Sequence, residues 1–288
     1  MQLRRRIAFA VGAVAMAATA AVAIPATSAA TTPPQVYVAM GDSYTAGPLI
    51  LPMTDNFTCA RSALNYPALL AAQLHVQTFR DVSCSSAVSA DFSNPQPGVV
   101  SGTNPPQYNA ITSDTTLVTI GIGGNDIGLV GLAESCINIL PAPFGKSCAA
   151  KYTAGGVDVY SQKIAAFAST YGTIIEHVRS LAPAARIVLV GYPTVIRNGG
   201  CFPLQPLLGP DATYVMAKVS ELDIAMKQQA ALHGATFVDL RPSSVGHDAC
   251  ALPGIRWIEG LVPTSAAFPL HPNVLSMKNA ARVISAAL

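Results

Sequence analysis

Charged side chains are scarce in this chain. Lys, Arg, Asp and Glu make up 11% of its 288 residues, against 51% hydrophobic. Past residue 30 there is no block of basic residues, so neither a nucleic acid nor an anionic surface is an expected partner. No Cys-x-x-Cys and no Cys/His cluster at ligand spacing occurs, which argues against zinc. No acid pair suggests an aspartic or metal-dependent hydrolase, and neither a metal nor a cofactor is expected. Beyond the N-terminus no apolar run approaches the roughly 20 residues of a membrane span. No internal repeat or low-complexity linker divides the chain, so residues 31–288 read as one domain, long enough to bury a full core.

What is present begins with Arg4, Arg5 and Arg6, an apolar stretch from Ile7 to about Ile24, and small residues through Ala30. A basic start, apolar middle and small-residue end have the layout of a secretory signal peptide, residues 1–30. Cleavage after Ala30 is expected, with Ala29 the next choice. The stretch is short for a retained anchor, so the protein is expected to be secreted, extracellular or in the cell envelope, with no stable membrane anchor. Those residues carry three Arg and no acid, leaving 14 of 17 basic residues against 15 acidic ones in the mature chain, a formal charge of −1.

Six cysteines follow: Cys59, Cys84, Cys136, Cys148, Cys201 and Cys250. An even count in an exported chain argues for three disulfides. Fifteen pairings are open by arithmetic; sequential pairing is the economical one, because each bond then closes a modest loop. Short β-branched runs at 35–40, 77–82, 115–120, 186–191 and 236–239 read as buried strands. Helical stretches are expected at 62–74, 126–135, 157–181, 211–233 and 274–287. In the third of these, Val157, Tyr160, Ile164, Phe167 and Tyr171 recur at spacings of three and four. Strand–helix alternation implies a doubly wound α/β layer fold. Residues 93–109 and 197–210 read as long surface loops.

Two strands end in residues that carry chemistry. Gln35–Met40 runs into Gly41-Asp-Ser-Tyr-Thr-Ala-Gly47, which sets a hydroxyl at the carboxyl edge of the sheet, where open α/β folds keep reactive groups. The helix expected next offers free backbone N–H groups there; the simpler reading of Asp42 and Ser43 is a helix cap. Thr115–Ile120 runs into Gly121-Ile-Gly-Gly-Asn-Asp126, where an Asn side chain can donate to a developing oxyanion. A dinucleotide fingerprint fails, because Asp126 stands where the third Gly belongs. Cys84-Ser-Ser-Ala87 follows the second strand, and His271-Pro-Asn273 precedes the last helix; His is the usual base for a serine hydroxyl. No Gly-x-Ser-x-Gly elbow exists, which sets aside the α/β-hydrolase fold.

Gly41-Asp42-Ser43, Gly123-Gly124-Asn125-Asp126 and His271-Pro-Asn273, in this order, resemble the SGNH/GDSL hydrolase superfamily. The likeness is to its secreted actinobacterial lipase, esterase and phospholipase branch with three disulfides, which Val245-Gly-His-Asp-Ala-Cys250 and Arg256-Trp257 also resemble. The resemblance runs from about residue 35 to the end. It implies a flavodoxin-like three-layer α/β/α fold with about five parallel strands, and pairings Cys59–Cys84, Cys136–Cys148 and Cys201–Cys250. It implies Ser43 as nucleophile, His271 as general base, and an oxyanion hole from the Ser43 and Ser86 backbone N–H groups and the Asn125 side chain.

Two departures from the family's pattern stand out. Ser86 occupies a position usually held by Gly, which matters if φ there is positive. Phe268 stands three residues before the His, where most of the superfamily has Asp. A backbone carbonyl, of Phe268 or Pro269, is then expected to take the Nδ1 proton, giving a Ser–His dyad; Pro269 stiffens the segment. The expected activity is hydrolysis of a carboxylic ester by a monomer, the substrate a small-molecule or lipid ester, with lipid esters favoured. Apolar loops at Pro48–Met53, Ile137–Phe144 and Leu204–Leu208 are possible acyl-site walls. The competing readings are a secreted binding protein that kept the scaffold and lost catalysis, and a carbohydrate O-acetylesterase.

Overall fold

The computed structural model describes residues 36–54 and 57–288. The expected signal peptide and its cleavage near Ala30 lie outside the described residues.

Five strands form one sheet: β1 (Val36–Gly41), β2 (Thr78–Asp81), β3 (Leu117–Gly121), β4 (Arg186–Val190) and β5 (Thr236–Val238). All pair in parallel, in the order β2-β1-β3-β4-β5. This is the doubly wound flavodoxin-like order, whose crevice opens beyond the carboxyl ends of β1 and β3. Every residue of β1 and β3 is buried, as expected of strands covered on both faces. Alternation along the strands sorts the side chains into two cores. Val38, Met40, Val118 and Ile120 join one of them and Tyr37, Ala39 and Leu117 the other.

The first core is closed by the long helices α6 (Val159–Leu181) and α7 (Gly209–Leu232), through Ile164, Tyr171, Ile175, Val219, Leu222 and Met226. The second is closed by α2 (Tyr66–Leu74) and α9 (Val274–Ala287), through Leu70, Met277 and Ile284. Shorter helices complete the order: α1 (Ser43–Ala46), α3 (Gly124–Ile127), α4 (Leu129–Ser135), α5 (Cys148–Tyr152) and α8 (Arg241–Ser244). Side-chain caps start most of the regular helices. Asn65 Oδ1 accepts from Ala68 N–H at 2.9 Å, and Asp158 Oδ1 accepts from Tyr160 and Ser161 N–H at 3.0 Å each. Such caps satisfy first-turn donors that have no partner within the helix.

The five expected strands all form with ends within two residues of those expected, β1 and β3 running one residue further, to Gly41 and Gly121. The helix expected at 62–74 starts only at Tyr66, after the Asn65 cap. The one expected at 126–135 is two helices, because Gly128 adopts a left-handed conformation (φ 77°) between α3 and α4. The segment 93–109 is more than a surface loop. Gln96, Asn104 and Gln107 are buried in it, and Gln96–Pro97 pairs antiparallel with Thr103–Asn104.

Three disulfides join Cys59 to Cys84, Cys136 to Cys148 and Cys201 to Cys250. They follow the sequential order, with separations of 25, 12 and 49 residues. The Cys201–Cys250 bond closes the longest loop, and its removal by double Ser substitution is expected to cost about 3–4 kcal/mol. Chemical denaturation of the double variant checks this.

At the tip of β1, Gly41 (φ 151°) has room for no side chain. A Cβ there would lie 2.3 Å from Thr45 Oγ1 and 2.4 Å from the Gly121 carbonyl oxygen. Gly41→Ala is therefore expected to lose roughly 3 kcal/mol or more of stability, read as a lowered Tm.

Candidate active site

β1 and β3 end level with each other, Gly41 opposite Gly121, and each chain segment then turns into a one-turn helix, α1 from Ser43 and α3 from Gly124. Asp42 N–H donates to the Gly121 carbonyl at 2.9 Å. Asp42 caps α1 by accepting from Tyr44 N–H at 2.9 Å, so Ser43 is the first residue of the helix and the Ser43 side chain stands at the sheet edge. Ser43 Oγ lies 2.8 Å from Nε2 of His271, and both side chains are largely buried.

The other ring nitrogen, Nδ1, is 2.8 Å from the carbonyl oxygen of Pro269. The Phe268 carbonyl, the alternative partner, accepts instead from the His271 backbone N–H at 3.1 Å. Asp42 and Asp248, the carboxylates of the Gly41-Asp-Ser43 and Val245–Cys250 motifs, are engaged elsewhere. Asp42 Oδ2 accepts from Tyr192 Oη at 2.6 Å. Asp248 accepts from Arg197 Nε at 3.1 Å and from Cys250 N–H at 2.9 Å.

The 84–87 turn and α3 border the serine. Cys84 N–H donates to the Gly41 carbonyl at 3.0 Å, which seats the turn against the tip of β1. Ser86 is exposed and has φ 68°, the left-handed conformation for which Gly is the usual residue. Asn125 Nδ2 donates to the Ala87 carbonyl at 2.9 Å. An amide nitrogen carries two protons, so one donor of Asn125 is not used by that bond.

The loop carrying His271 is built from polar contacts around Glu259, whose side chain is fully buried. Its carboxylate accepts from Thr264 N–H at 2.7 Å, Ser265 Oγ at 2.5 Å and Asn273 Nδ2 at 2.8 Å. Burial would raise this carboxyl, but these donors, Ser265 foremost, outweigh it and hold the group below its ordinary value. Asn273 also caps α9, accepting from Leu275 N–H at 3.0 Å. On the other side, Tyr44 Oη donates to the Leu270 carbonyl at 2.7 Å, at a residue with φ 60°. Tyr44 and Phe268 rings flank the imidazole at 5.0 and 5.3 Å.

A cavity of about 180 Å³ opens beside His271 and Asn125. Its walls are mainly aliphatic: Leu129 and Ile137 from α4 and the turn after it, Leu207, Val215 and Val219 on and before α7, and Ile258. Of the loops read as possible acyl-site walls, Ile137 and Leu207 line this cavity, whereas Pro48–Met53 does not. Ile139, Leu140 and Phe144 face outward and are exposed. Among the described residues no group of three His, Cys, Asp or Glu side chains is placed to hold a metal ion.

The model of the GDSL-like lipase/acylhydrolase family matches residues 39–278. The chain belongs to this family. Among its curated relatives, Lipase 2 of Streptomyces coelicolor is 37% identical over 94% of this chain and 92% of that protein. The lipase of Streptomyces rimosus is 30% identical, over 91% of this chain and 90% of its own. Among solved structures, phospholipase A1 from Streptomyces albidoflavus superposes with a TM-score of 0.73 at 26% identity, covering 88% of this chain and 100% of that one. The GDSL protein described here is a carboxylic ester hydrolase with the α/β fold of these neighbours.

Sequence reasoning missed the buried polar residues that hold this GDSL site together. Tyr192 Oη donates to Asp42 Oδ2 and accepts from Gly124 N–H at 2.8 Å, and Tyr192 N–H donates to Asp223 Oδ1 at 2.9 Å. Its place was discoverable, since it follows β4 by two residues on the same reactive edge. Gln107 exchanges two hydrogen bonds with the Gly41 backbone, at 2.8 and 3.1 Å; nothing in its local sequence announces this. Burial is the main cause that pushes Asp42 up to about 7, against the opposing bonds from Tyr192 and Tyr44. Burial likewise pushes Asp223 up to about 8, opposed by the Tyr192 N–H bond and the Arg241 charge.

Two outcomes are expected. Tyr192→Phe leaves Asp42 Oδ2 and Gly124 N–H buried without partners, costing about 3 kcal/mol in denaturant unfolding. Ser86→Gly relieves the left-handed conformation at an exposed position and should raise stability by about 0.5–1 kcal/mol.

Proposed function

We propose that this enzyme is a secreted lipid-ester hydrolase that works through a Ser43–His271 dyad. Ser43 Oγ attacks the ester carbonyl while His271 Nε2 takes its proton. The oxyanion is held by the Ser43 and Ser86 backbone N–H groups and by Asn125 Nδ2. His271 then protonates the departing alcohol, and a water activated by the same nitrogen releases the carboxylic acid. The observation that carries this reading is the aligned relay Ser43 Oγ–Nε2 His271 Nδ1–O Pro269, with both distances at 2.8 Å.

In this reading the Pro269 carbonyl sets the tautomer, keeping the proton on Nδ1 and the lone pair on Nε2. A neutral acceptor orients the ring as a carboxylate would but stabilises the imidazolium less. The aliphatic cavity beside His271 takes the acyl chain. Each methylene buried there is worth about 0.8 kcal/mol, or roughly fourfold in kcat/KM until the cavity is full. Secretion is supported by three disulfides in the GDSL domain, taken as residues 31–288, which form and persist in oxidising compartments.

Ser43→Ala is the direct test: turnover of p-nitrophenyl esters should vanish while the thermal transition stays in place. Retained activity in that variant would overturn the serine assignment. In an acyl series from acetate to decanoate, kcat/KM should climb steeply before levelling; acetate as the best substrate would favour an O-acetylesterase.

The pH dependence follows from His271. Burial lowers its pKa below 6.5, and the bond to Pro269 only partly offsets this. A general base must be neutral, so kcat/KM should hold at pH 6.5 and fall only at lower pH. Stability has the same sign: the unfolded imidazole gains its proton near 6.5 while the native one does not, so this contribution is lost on acidification below that value. A kcat/KM acid limb centred above 6.5 contradicts the assignment.

A further inference from the structure

Around the cavity mouth, the residues that line the inside alternate in sequence with large apolar residues that face solvent. Ile137 lines the cavity while Ile139, Leu140 and Phe144 are exposed by 87, 52 and 74%. Gln205 and Leu207 line it while Leu204 is 56% exposed, and Leu261 lines it while Val262 is 77% exposed. Phe268 does both, being a wall residue that is 48% exposed.

These residues belong to one connected rim. The 137–145 and 202–208 segments join through the Ile137–Leu207 bridge and the bond from Asn138 N–H to the Pro206 carbonyl at 2.6 Å. The 260–270 segment joins through Leu261 N–H to Gln205 Oε1 at 2.9 Å. None of the three segments contains Asp, Glu, Lys or Arg. Glu134 and Lys146, of opposite sign and both exposed, flank the first. Contiguous exposed apolar surface of this kind marks a docking site rather than ordinary solvated surface. Its lack of net charge favours an uncharged partner, and its continuity with the cavity favours one that delivers an acyl chain.

We propose that this rim docks the enzyme on an electrically neutral lipid surface, holding the cavity mouth against the layer from which the acyl chain enters. The proposal rests on the acyl reading of the cavity, and its test is separable from that reading because binding needs no turnover. The Ser43→Ala protein would be sedimented with phosphatidylcholine vesicles, alone and carrying Ile139→Ser, Phe144→Ser and Val262→Ser, three side chains that do not line the cavity.

The expected result is vesicle binding by the Ser43→Ala protein and at least tenfold weaker partitioning of the triple variant. The same three substitutions in the active enzyme should leave p-nitrophenyl butyrate turnover within about twofold, which also shows that the variant folds. Equal binding with and without the substitutions overturns the proposal. So does binding confined to vesicles containing phosphatidylglycerol, which would be electrostatic. A dimer in sedimentation velocity that the triple variant abolishes would assign the rim to a second copy of the chain and likewise overturn it.

Discussion

The hydrogen bonds of one buried tyrosine are what the rest of the site depends on. Tyr192 follows β4, yet its hydroxyl reaches Asp42 after β1 and Gly124 after β3. Three parallel strands deliver their chain ends to the same edge, but nothing in sheet pairing fixes how those ends sit relative to one another. The phenol does, by acting as donor to a carboxylate and acceptor from a backbone N–H at once. Asp223, held against Arg241 at 3.1 Å, in turn fixes the Tyr192 backbone. Buried polar groups so connected are costly to leave half satisfied, which is why such a network specifies a single arrangement.

The histidine is held by different means. Its loop leaves the sheet altogether, and its position is set by Glu259 gathering Thr264, Ser265 and Asn273, by Asn273 starting α9, and by Tyr44 reaching across to Leu270. Serine and imidazole thus sit on separately braced pieces of chain 228 residues apart. Tyr44 connects them, being the residue after Ser43 and the donor to the residue before His271.

Much of this was legible in the sequence because it is local. β-branched runs with turn residues at each end announce buried strands, and their order along the chain leads to a parallel sheet with a reactive carboxyl edge. Gly41-Asp-Ser and Gly-Gly-Asn-Asp read from sequence as lying on that edge and His-Pro-Asn as preceding the last helix, and Phe268 signalled that no Asp stands three residues before the histidine. What was not legible is non-local. Gln107 and Glu259 carry no motif and Tyr192 is marked only by its place two residues after β4; each matters for what the fold sets against it. Helix breaks were missed where a single Gly128 decides, and the 93–109 segment was misread because its Gly, Pro and Asn content hides the burial of Gln107. The cavity posed a similar problem, since alternating residues of one apolar loop face inward and outward, and composition alone does not say which.

The Pro269 carbonyl that meets Nδ1 has a consequence for how the enzyme tolerates change. An aspartate in that place is a single mutational target: one base change in its codon can delete the hydrogen-bond acceptor. A main-chain oxygen belongs to every amino acid. Substitution at position 269 can shift this acceptor or loosen it but cannot remove it, because whatever residue is translated there brings its own carbonyl. The support of this histidine is therefore written in the path of the backbone rather than in the identity of a side chain, and what guards it is the set of contacts that keep residues 259–273 on that path.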